Sequence, residues 1–191
     1  MWRSAILAGF ALLLLVSCDT NDPFVDVLVS NINEGNPLLA DLIEIDDTKD
    51  PPEIFIPEDV VLVEFWNKPR HDAVITQPET FLHDFHVKRY SVTWRRVDGG
   101  PSSGAGWDIS DHDFEAATSA IIPINTKTGV GILLAPAGMK TAEPFFSALM
   151  NFEEIQMIAD IDFVGTRAIT SDEEIHVLAS LSVQFADFGD E

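Results

Sequence analysis

The sequence has little cysteine and little positive charge. Only one of its 191 residues is cysteine, and 11 Lys and Arg stand against 32 Asp and Glu, which gives a net charge of -21. One cysteine excludes a disulfide framework within the chain and every zinc pattern built from several cysteines. The acidity argues against nucleic acid and anionic lipid as electrostatic partners, because both are polyanions. No nucleic-acid partner is therefore expected.

The sequence also has only one long apolar run. Ala5 to Val16 is almost wholly apolar and follows a single positive charge at Arg3. As a helix this run is about 18 Å long, which is short of the roughly 30 Å hydrocarbon core of a bilayer. The pattern therefore favours the apolar region of a secretory signal peptide over a transmembrane helix.

The apolar run ends at Leu15-Val16-Ser17-Cys18. This segment resembles the lipobox of bacterial lipoproteins, in which a small residue precedes an invariant cysteine. The resemblance implies that residues 1–17 are a cleaved signal peptide and that residues 18–23 are a tether with a diacylglycerol on Cys18. It also implies an extracytoplasmic protein, held by its acyl chains in the cell membrane or the outer membrane. The alternative is an ordinary signal peptide followed by a free thiol.

Strand signals dominate the remaining chain, residues 24–191, which are predicted to form one domain. Residues 155–164 and 175–185 alternate apolar and polar side chains, which predicts two long strands in an antiparallel hairpin. Residues 87–96 alternate as well, with Trp94 on the apolar face. Trp66 lies in a second apolar strand. Trp66 and Trp94 are both predicted to be buried in the core as anchors of the packing.

Two segments depart from the strand pattern. Residues 31–57 are acidic and rich in proline, which predicts a long solvated connection with a short strand at residues 42–45. Residues 143–152 show helical spacing of their apolar side chains and predict one or two helical turns.

About seven predicted strands, 11 prolines and 11 glycines favour an all-β fold, an antiparallel β-sandwich. The strand Tyr90-Ser91-Val92-Thr93-Trp94 loosely resembles the tryptophan-bearing core strand of immunoglobulin-like and fibronectin-like domains. This chain lacks the cysteine pair of such domains, and its only tyrosine lies on this strand. The resemblance implies an architecture, and architecture does not specify an activity.

The densest carboxylate cluster near the predicted strands is the segment from Asp108 to Glu115. Calcium takes six to eight oxygen ligands, and the candidates here are Asp108, Asp111, Asp113 and Glu115. The segment lacks the glycine and the final glutamate of a helix-loop-helix calcium site, so a solvated acidic loop is the other interpretation. Trp107 directly precedes it and is the predicted aromatic contact of an interaction patch.

Catalytic patterns are weak. Gly100-Pro101-Ser102-Ser103-Gly104 has the spacing of a hydrolase nucleophile elbow, but glycines follow where a helix is required, so a polar turn is predicted. A hydrolase using Ser102 and His112 is a remote alternative. His83 and His86 have a spacing that brings imidazoles together only in a helix or turn. They are expected to be solvated loop residues, with His176 exposed on its strand.

These observations favour a non-enzymatic, lipid-anchored β-sandwich that presents an acidic surface to a protein partner or an envelope assembly. No cofactor is expected. The alternative function is a calcium-binding or small-ligand-binding module that uses the segment from Asp108 to Glu115.

Overall fold

The structure is a computed structural model that describes residues 25–70, 80–99, 109–151, 153–168 and 172–188. The predicted signal peptide, the candidate lipidation site Cys18, and Ser102, Trp107 and Asp108 lie outside these residues. The expectations for them stay predictions.

Ten strands and two short helices make up the regular structure of the described residues, joined in places by short 3-10 turns. The strands are β1 (Val25–Ile32), β2 (Leu38–Asp41), β3 (Glu44–Asp46), β4 (Glu53–Phe55), β5 (Asp59–Pro69), β6 (Phe85–Arg96), β7 (Phe114–Ile122), β8 (Lys127–Ala135), β9 (Ile155–Arg167) and β10 (Ile175–Ala186). The helices are α1 (Ala137–Lys140) and α2 (Phe145–Asn151).

Two sheets form the sandwich. The three-stranded sheet has the order β1-β5-β8, and the five-stranded sheet has the order β2-β10-β9-β6-β7. β3 and β4 form a separate two-stranded hairpin. Neighbouring strands are antiparallel except for β2, which runs parallel to β10. The predicted all-β sandwich is confirmed, and the parallel pair is its one departure from a purely antiparallel arrangement among the described strands.

The core lies between the facing sides of the two sheets. Phe65 of β5 meets Phe163 of β9 edge to face, with 4.9 Å between the ring centroids. Tyr90 of β6 reaches across the core, and its hydroxyl donates a hydrogen bond of 2.8 Å to the carbonyl oxygen of Leu133 in β8. Most apolar side chains on the inward phase of both sheets are buried, because each strand turns alternate residues to the same side. Val27 and Val29 of β1 and Phe114 of β7 are partly buried at the edges.

The alternation in the sequence identifies most of this core. Tyr90, Val92 and Trp94 are buried as predicted, and β9 and β10 form the predicted antiparallel hairpin. The prediction for Trp66 is wrong. Val61, Val63 and Phe65 are the buried phase of β5, and Trp66 lies half-buried on the outer face of the three-stranded sheet.

The acidic, proline-rich segment is only partly a solvated connection. Ala40 and Leu42 are almost completely buried, because β2 pairs with the last residues of β10 and brings these side chains onto the core. The short strand predicted at residues 42–45 is replaced by β2 and β3 on either side of Leu42. The predicted helical turns are confirmed by α2, which buries Phe145 and Ala148.

The sandwich has two distinct ends, defined here by the strand termini. At the Val25 end, β1 begins beside the end of β5, and β6 begins beside the end of β9. The Arg167 guanidinium donates a hydrogen bond of 3.2 Å to the Val25 carbonyl oxygen and links the two sheets there. At the opposite end, called the distal end, β5 and β9 begin and β10 finishes, and β2, α1 and α2 are gathered around them.

Candidate functional site

Exposed carboxylates crowd the distal end. They come from the turn after β1, the β3–β4 hairpin and its flanks, and the segments that border α2, β6, β7, β9 and β10 at that end. The exposed acids placed there are Glu34, Glu44, Asp47, Asp50, Glu53, Glu58, Asp98, Asp111, Asp113, Glu143, Glu153, Glu154 and Asp187. The described cations at this end are Lys49, Arg95, Arg96 and Lys140. The distal end is therefore strongly anionic.

The Val25 end has a different balance of charge. Its described cations are Lys68, Arg70, Lys88, Arg89, Lys127 and Arg167. Its described acids are Asp26, Glu64, Asp84, Asp172, Glu173 and Glu174, and Glu115 and Asp162 lie beside Arg89 nearer the middle of the strands. Among the described residues, negative charge is thus concentrated at the distal end, because acids far apart in sequence are folded onto that end.

The predicted metal ligands that the structure describes do not converge. The Asp113 carboxylate accepts a hydrogen bond of 2.8 Å from the Trp94 backbone N–H, and Glu115 pairs with Arg89 across β6 and β7 at 3.1 Å. The interpretation of Glu115 as a loop residue is wrong, because β7 begins at Phe114 and turns Glu115 to the outer face. In the part of the chain that the structure describes, no three potential metal-ligating side chains cluster. Because Asp108 is outside it, calcium binding stays a prediction.

The four described histidines have different environments. His86 lies half-buried on β6, which contradicts the prediction of a solvated loop residue. The His112 Nε2 atom lies 2.8 Å from the Glu143 carbonyl oxygen, and its ring packs against Phe145. His83 is buried, which contradicts the prediction of a solvated loop residue and reflects its position under the Val25 end of the core. His176 is exposed on β10 as predicted, with its Nδ1 atom 2.8 Å from Asp162.

A buried lysine at the distal end has no signal in the sequence. The Lys140 side chain is 0% exposed, and its Nζ atom lies 2.5 Å from Asp59 Oδ2. The ammonium also donates to the carbonyl oxygens of Asp41 at 2.6 Å and Pro57 at 2.8 Å. Burial raises the pKa of the Asp59 carboxyl, while the hydrogen bond from Lys140 acts to lower it.

The surroundings of Lys140 indicate a structural function. An ammonium has three N–H donors. Two of them reach the carbonyl oxygens of Asp41 and Pro57, and the Asp59 carboxylate forms an ion pair with the same group. A lysine nucleophile requires a neutral amine with a free lone pair. Lys140 instead ties α1 to β2 and to the start of β5, and it holds together the elements that carry the distal carboxylates.

The outer face of the five-stranded sheet also carries carboxylates, but they are bound by neighbouring side chains. Although burial acts to raise it, the pKa of Asp160 is lowered by hydrogen bonds from Arg95 and Ser180. The shallow depression around Asp160 is lined by Ser91, Thr93 and Leu178. A carboxylate held in its ionised form by a guanidinium and a hydroxyl is a poor general base, because its pKa lies below rather than near neutrality.

None of the helices in the described part of the chain is long and apolar enough to cross a bilayer. No protein-family model matches the chain, and no curated protein or solved structure matches it either.

Proposed function

We propose that the protein is a lipid-anchored envelope protein without enzymatic activity, which presents its acidic distal end to a protein partner. The observation that carries this proposal is the segregation of charge along the sandwich. The exposed acids crowd the distal end, whereas Cys18 precedes Val25 by only a few residues at the balanced end. An anchor on Cys18 would leave the distal end as the part most accessible to other proteins.

The anchor is supported by the lipobox-like segment Leu15-Val16-Ser17-Cys18. Each buried methylene of an acyl chain contributes about 0.8 kcal/mol of membrane affinity, so two or three chains hold a protein firmly. The chain between Cys18 and Val25 spans at most about 25 Å when extended. The sandwich would therefore stay close to the membrane that holds the lipid.

A basic surface is the chemistry that we expect of the partner. Carboxylates gathered on one end produce a negative potential that accelerates the approach of a cationic protein. Trp107 lies two residues before Ile109, which is buried beside this end, and we propose Trp107 as an apolar contact within the same surface. Cationic side chains of the partner at the rim of the interface would affect the rate of association more than the affinity of the complex.

We also propose the immunoglobulin-like type for this sandwich, on the order of its seven long strands. Taken along the chain, the first, second and fifth form one sheet, and the seventh, sixth, third and fourth form the other. Immunoglobulin-like domains likewise place strands A, B and E opposite C, F and G, with a tryptophan on strand C. Trp94 is buried on the third long strand, which supports this assignment. β2 beside β10 is an addition to the scheme.

Crosslinking in intact cells tests the function directly. The full-length protein should be crosslinked to a specific protein, and the double variant Glu153→Lys/Glu154→Lys should lose most of that product because it reverses two exposed charges at the distal end. Asp172→Lys, an exposed acid at the Val25 end, is the matched control and should retain the product. Equal yields from both variants, or turnover of a defined substrate, would contradict the proposal.

Thermal unfolding separates this function from calcium binding. A ligand that binds only the native state raises the unfolding midpoint. Because Asp113 and Glu115 already bind a backbone N–H and Arg89, we expect the same midpoint with chelator and with millimolar calcium when the ionic strength of the two solutions is equal. A higher midpoint in calcium that Asp111→Asn abolishes would favour the metal-binding alternative.

A further inference from the structure

The outer face of the three-stranded sheet exposes apolar side chains. Val60 and Leu62 of β5 are 65% and 54% exposed. Their neighbours across β8 include Gly131, opposite Leu62, so no side chain from that strand covers Leu62. The set that we call the Trp66 face consists of Leu28, Val60, Leu62, Trp66, Lys68, Lys127 and Leu133, which lie on the outward phase of β1, β5 and β8.

Two lysines flank the indole on this face. The Nζ atom of Lys68 lies 5.1 Å from the centroid of the Trp66 ring, and that of Lys127 lies 5.8 Å from it. Cations at such distances over an indole are attracted to its face. An aromatic ring beside lysines with apolar neighbours is typical of proteins at a bilayer surface, where the indole lies at headgroup level and the amines near phosphates.

The two acids on this side of the sheet are matched by cations. Asp26 pairs with Arg70 at 2.6 Å, and Glu64 pairs with Lys127 at 2.8 Å. Lys68 is exposed and adds a positive charge beside these pairs. The Trp66 face therefore lacks the net negative charge that the rest of this acidic protein carries.

The start of β1 lies on the same sheet as this face. β1 is an edge strand of the same sheet and begins at Val25, and its Leu28 lies directly opposite Trp66. If Cys18 carries the anchor, the extended chain between it and Val25 spans at most about 25 Å. The bilayer is then within reach of the Trp66 face.

The overall acidity does not prevent this contact. β5 has 11 residues, and at about 3.3 Å per residue it spans roughly 36 Å from the Val25 end to the distal end. The Debye length at physiological ionic strength is only about 8 Å. The distal acids are therefore screened from lipid headgroups at Lys68 and Lys127, and the local charge there governs the interaction. Val60, which lies two residues from the exposed Glu58, is at the distal edge of the contact.

We propose that the Trp66 face docks on the surface of the membrane that holds the lipid anchor, with anionic phospholipid headgroups as the ligands of Lys68 and Lys127. This inference rests on the proposed anchor at Cys18. Docking through this face orients the molecule, because it turns the outer face of the five-stranded sheet away from the bilayer. Because β5 then runs along the membrane surface, the distal carboxylates are displaced sideways from the anchor site, where a partner can reach them.

A spin label placed on each face tests the orientation. The acylated full-length protein is reconstituted into vesicles of phosphatidylcholine, alone or mixed with phosphatidylglycerol, and Leu62→Cys or Leu178→Cys carries a nitroxide. Leu178 is the matched control because it is 74% exposed on the outer face of the other sheet. In anionic vesicles the Leu62 label should be shielded from a water-soluble relaxing agent, and the Leu178 label should stay exposed to it.

Lysine variants test the chemistry of the contact. One lysine near an anionic membrane surface contributes about fivefold to binding, so Lys68→Gln and Lys127→Gln should each lower the ratio of docked to undocked protein by about that factor. Lys49→Gln, an exposed lysine at the distal end, is the control and should leave the ratio unchanged. Raising the salt concentration should reduce docking in the parent protein.

The outcomes separate this inference from the proposed function. An acylated protein whose two labels are equally exposed in anionic vesicles overturns the docking and leaves the anchor intact. Mass spectrometry that finds no acyl group on Cys18 overturns the anchor and the docking together. Spin–spin coupling between Leu62 labels would show that a second copy covers this face, and it would overturn the membrane contact.

Discussion

Trp94 and Arg95 are neighbours on β6 that face opposite environments. Trp94 is 2% exposed and lies 5.6 Å from Phe185 between ring centroids, whereas the Arg95 side chain is 51% exposed and pairs with Asp160. Trp94→Ala should lower the free energy of unfolding by about 3–5 kcal/mol because it leaves a cavity in the core. Arg95→Ala should lower it by at most about 1 kcal/mol. Urea denaturation measures both, and similar losses would contradict the assigned inward face of β6.

Lys140 and Lys49 are a matched pair of buried and exposed lysines at the distal end. Lys140→Met should cost roughly 3–5 kcal/mol of unfolding free energy because Asp59 would keep a buried carboxylate without its cation. Lys49→Met should cost less than about 1 kcal/mol, since its pairs with Asp46 and Glu53 are exposed to solvent.

A second substitution distinguishes charge from packing at Lys140. Adding Asp59→Asn to Lys140→Met removes the unpaired charge, and it should recover part of the lost stability in urea denaturation. No recovery, or a nearly neutral effect of Lys140→Met alone, would show that the buried ion pair does not hold the distal end together.

At the scale of single elements, alternation predicts strands whose two faces differ in polarity. β9 and β10 were identified in this way because aspartate, serine and glutamine occupy their outward positions. β5 is apolar on both phases near its start, so the pattern there does not show which face is buried. Glu64 and Lys68 lie on the same face of β5 as Trp66. These charged neighbours are the feature of the sequence that indicates a solvent-facing position for the tryptophan.

β2 is an element that local sequence patterns do not predict. Its four residues follow a turn that contains Gly35 and Pro37 and precede an acidic, proline-rich segment, which together favour a loop. The strand forms because Leu38 to Asp41 pair with Val183 to Ala186 near the other end of the chain. A pairing across so great a sequence separation leaves no periodicity in a short segment.

Leu42 and Leu39 test whether β2 belongs to the core. Leu42 is 1% exposed and Leu39 is 57% exposed. Leu42→Ala should lower the free energy of unfolding by roughly 2–5 kcal/mol, as expected for a buried leucine, and Leu39→Ala should change it by less than about 0.5 kcal/mol. Chemical denaturation of the two variants provides the measurement. An equally small effect of both substitutions would contradict the burial of Leu42, and it would support the solvated connection that the sequence predicts for this segment.

At the scale of the whole molecule, the sequence gives the net charge but not its distribution. Acids at Glu34, Glu53, Asp98, Glu154 and Asp187 are spread over most of the chain. Strand order brings four of them to one end, because each of these lies next to a strand terminus of the two sheets there, and Glu53 is on the β3–β4 hairpin that connects β2 to β5 at the same end. Both the acidic distal end and the Trp66 face therefore depend on topology, which local sequence patterns do not specify.

Charge segregation predicts that salt stabilises the fold. Raising the ionic strength from about 0.01 to 0.1 M shortens the Debye length from about 30 to 10 Å, which weakens the repulsion among the distal carboxylates. A gain of about 1 kcal/mol would raise the thermal midpoint by about 2–4 °C in a chain of this size, measured by circular dichroism at pH 7. Glu154→Lys should reduce this salt dependence more than Asp172→Lys, which makes the same change of charge at the Val25 end. A midpoint that falls with salt would mean that attractive ion pairs outweigh the repulsion at the distal end.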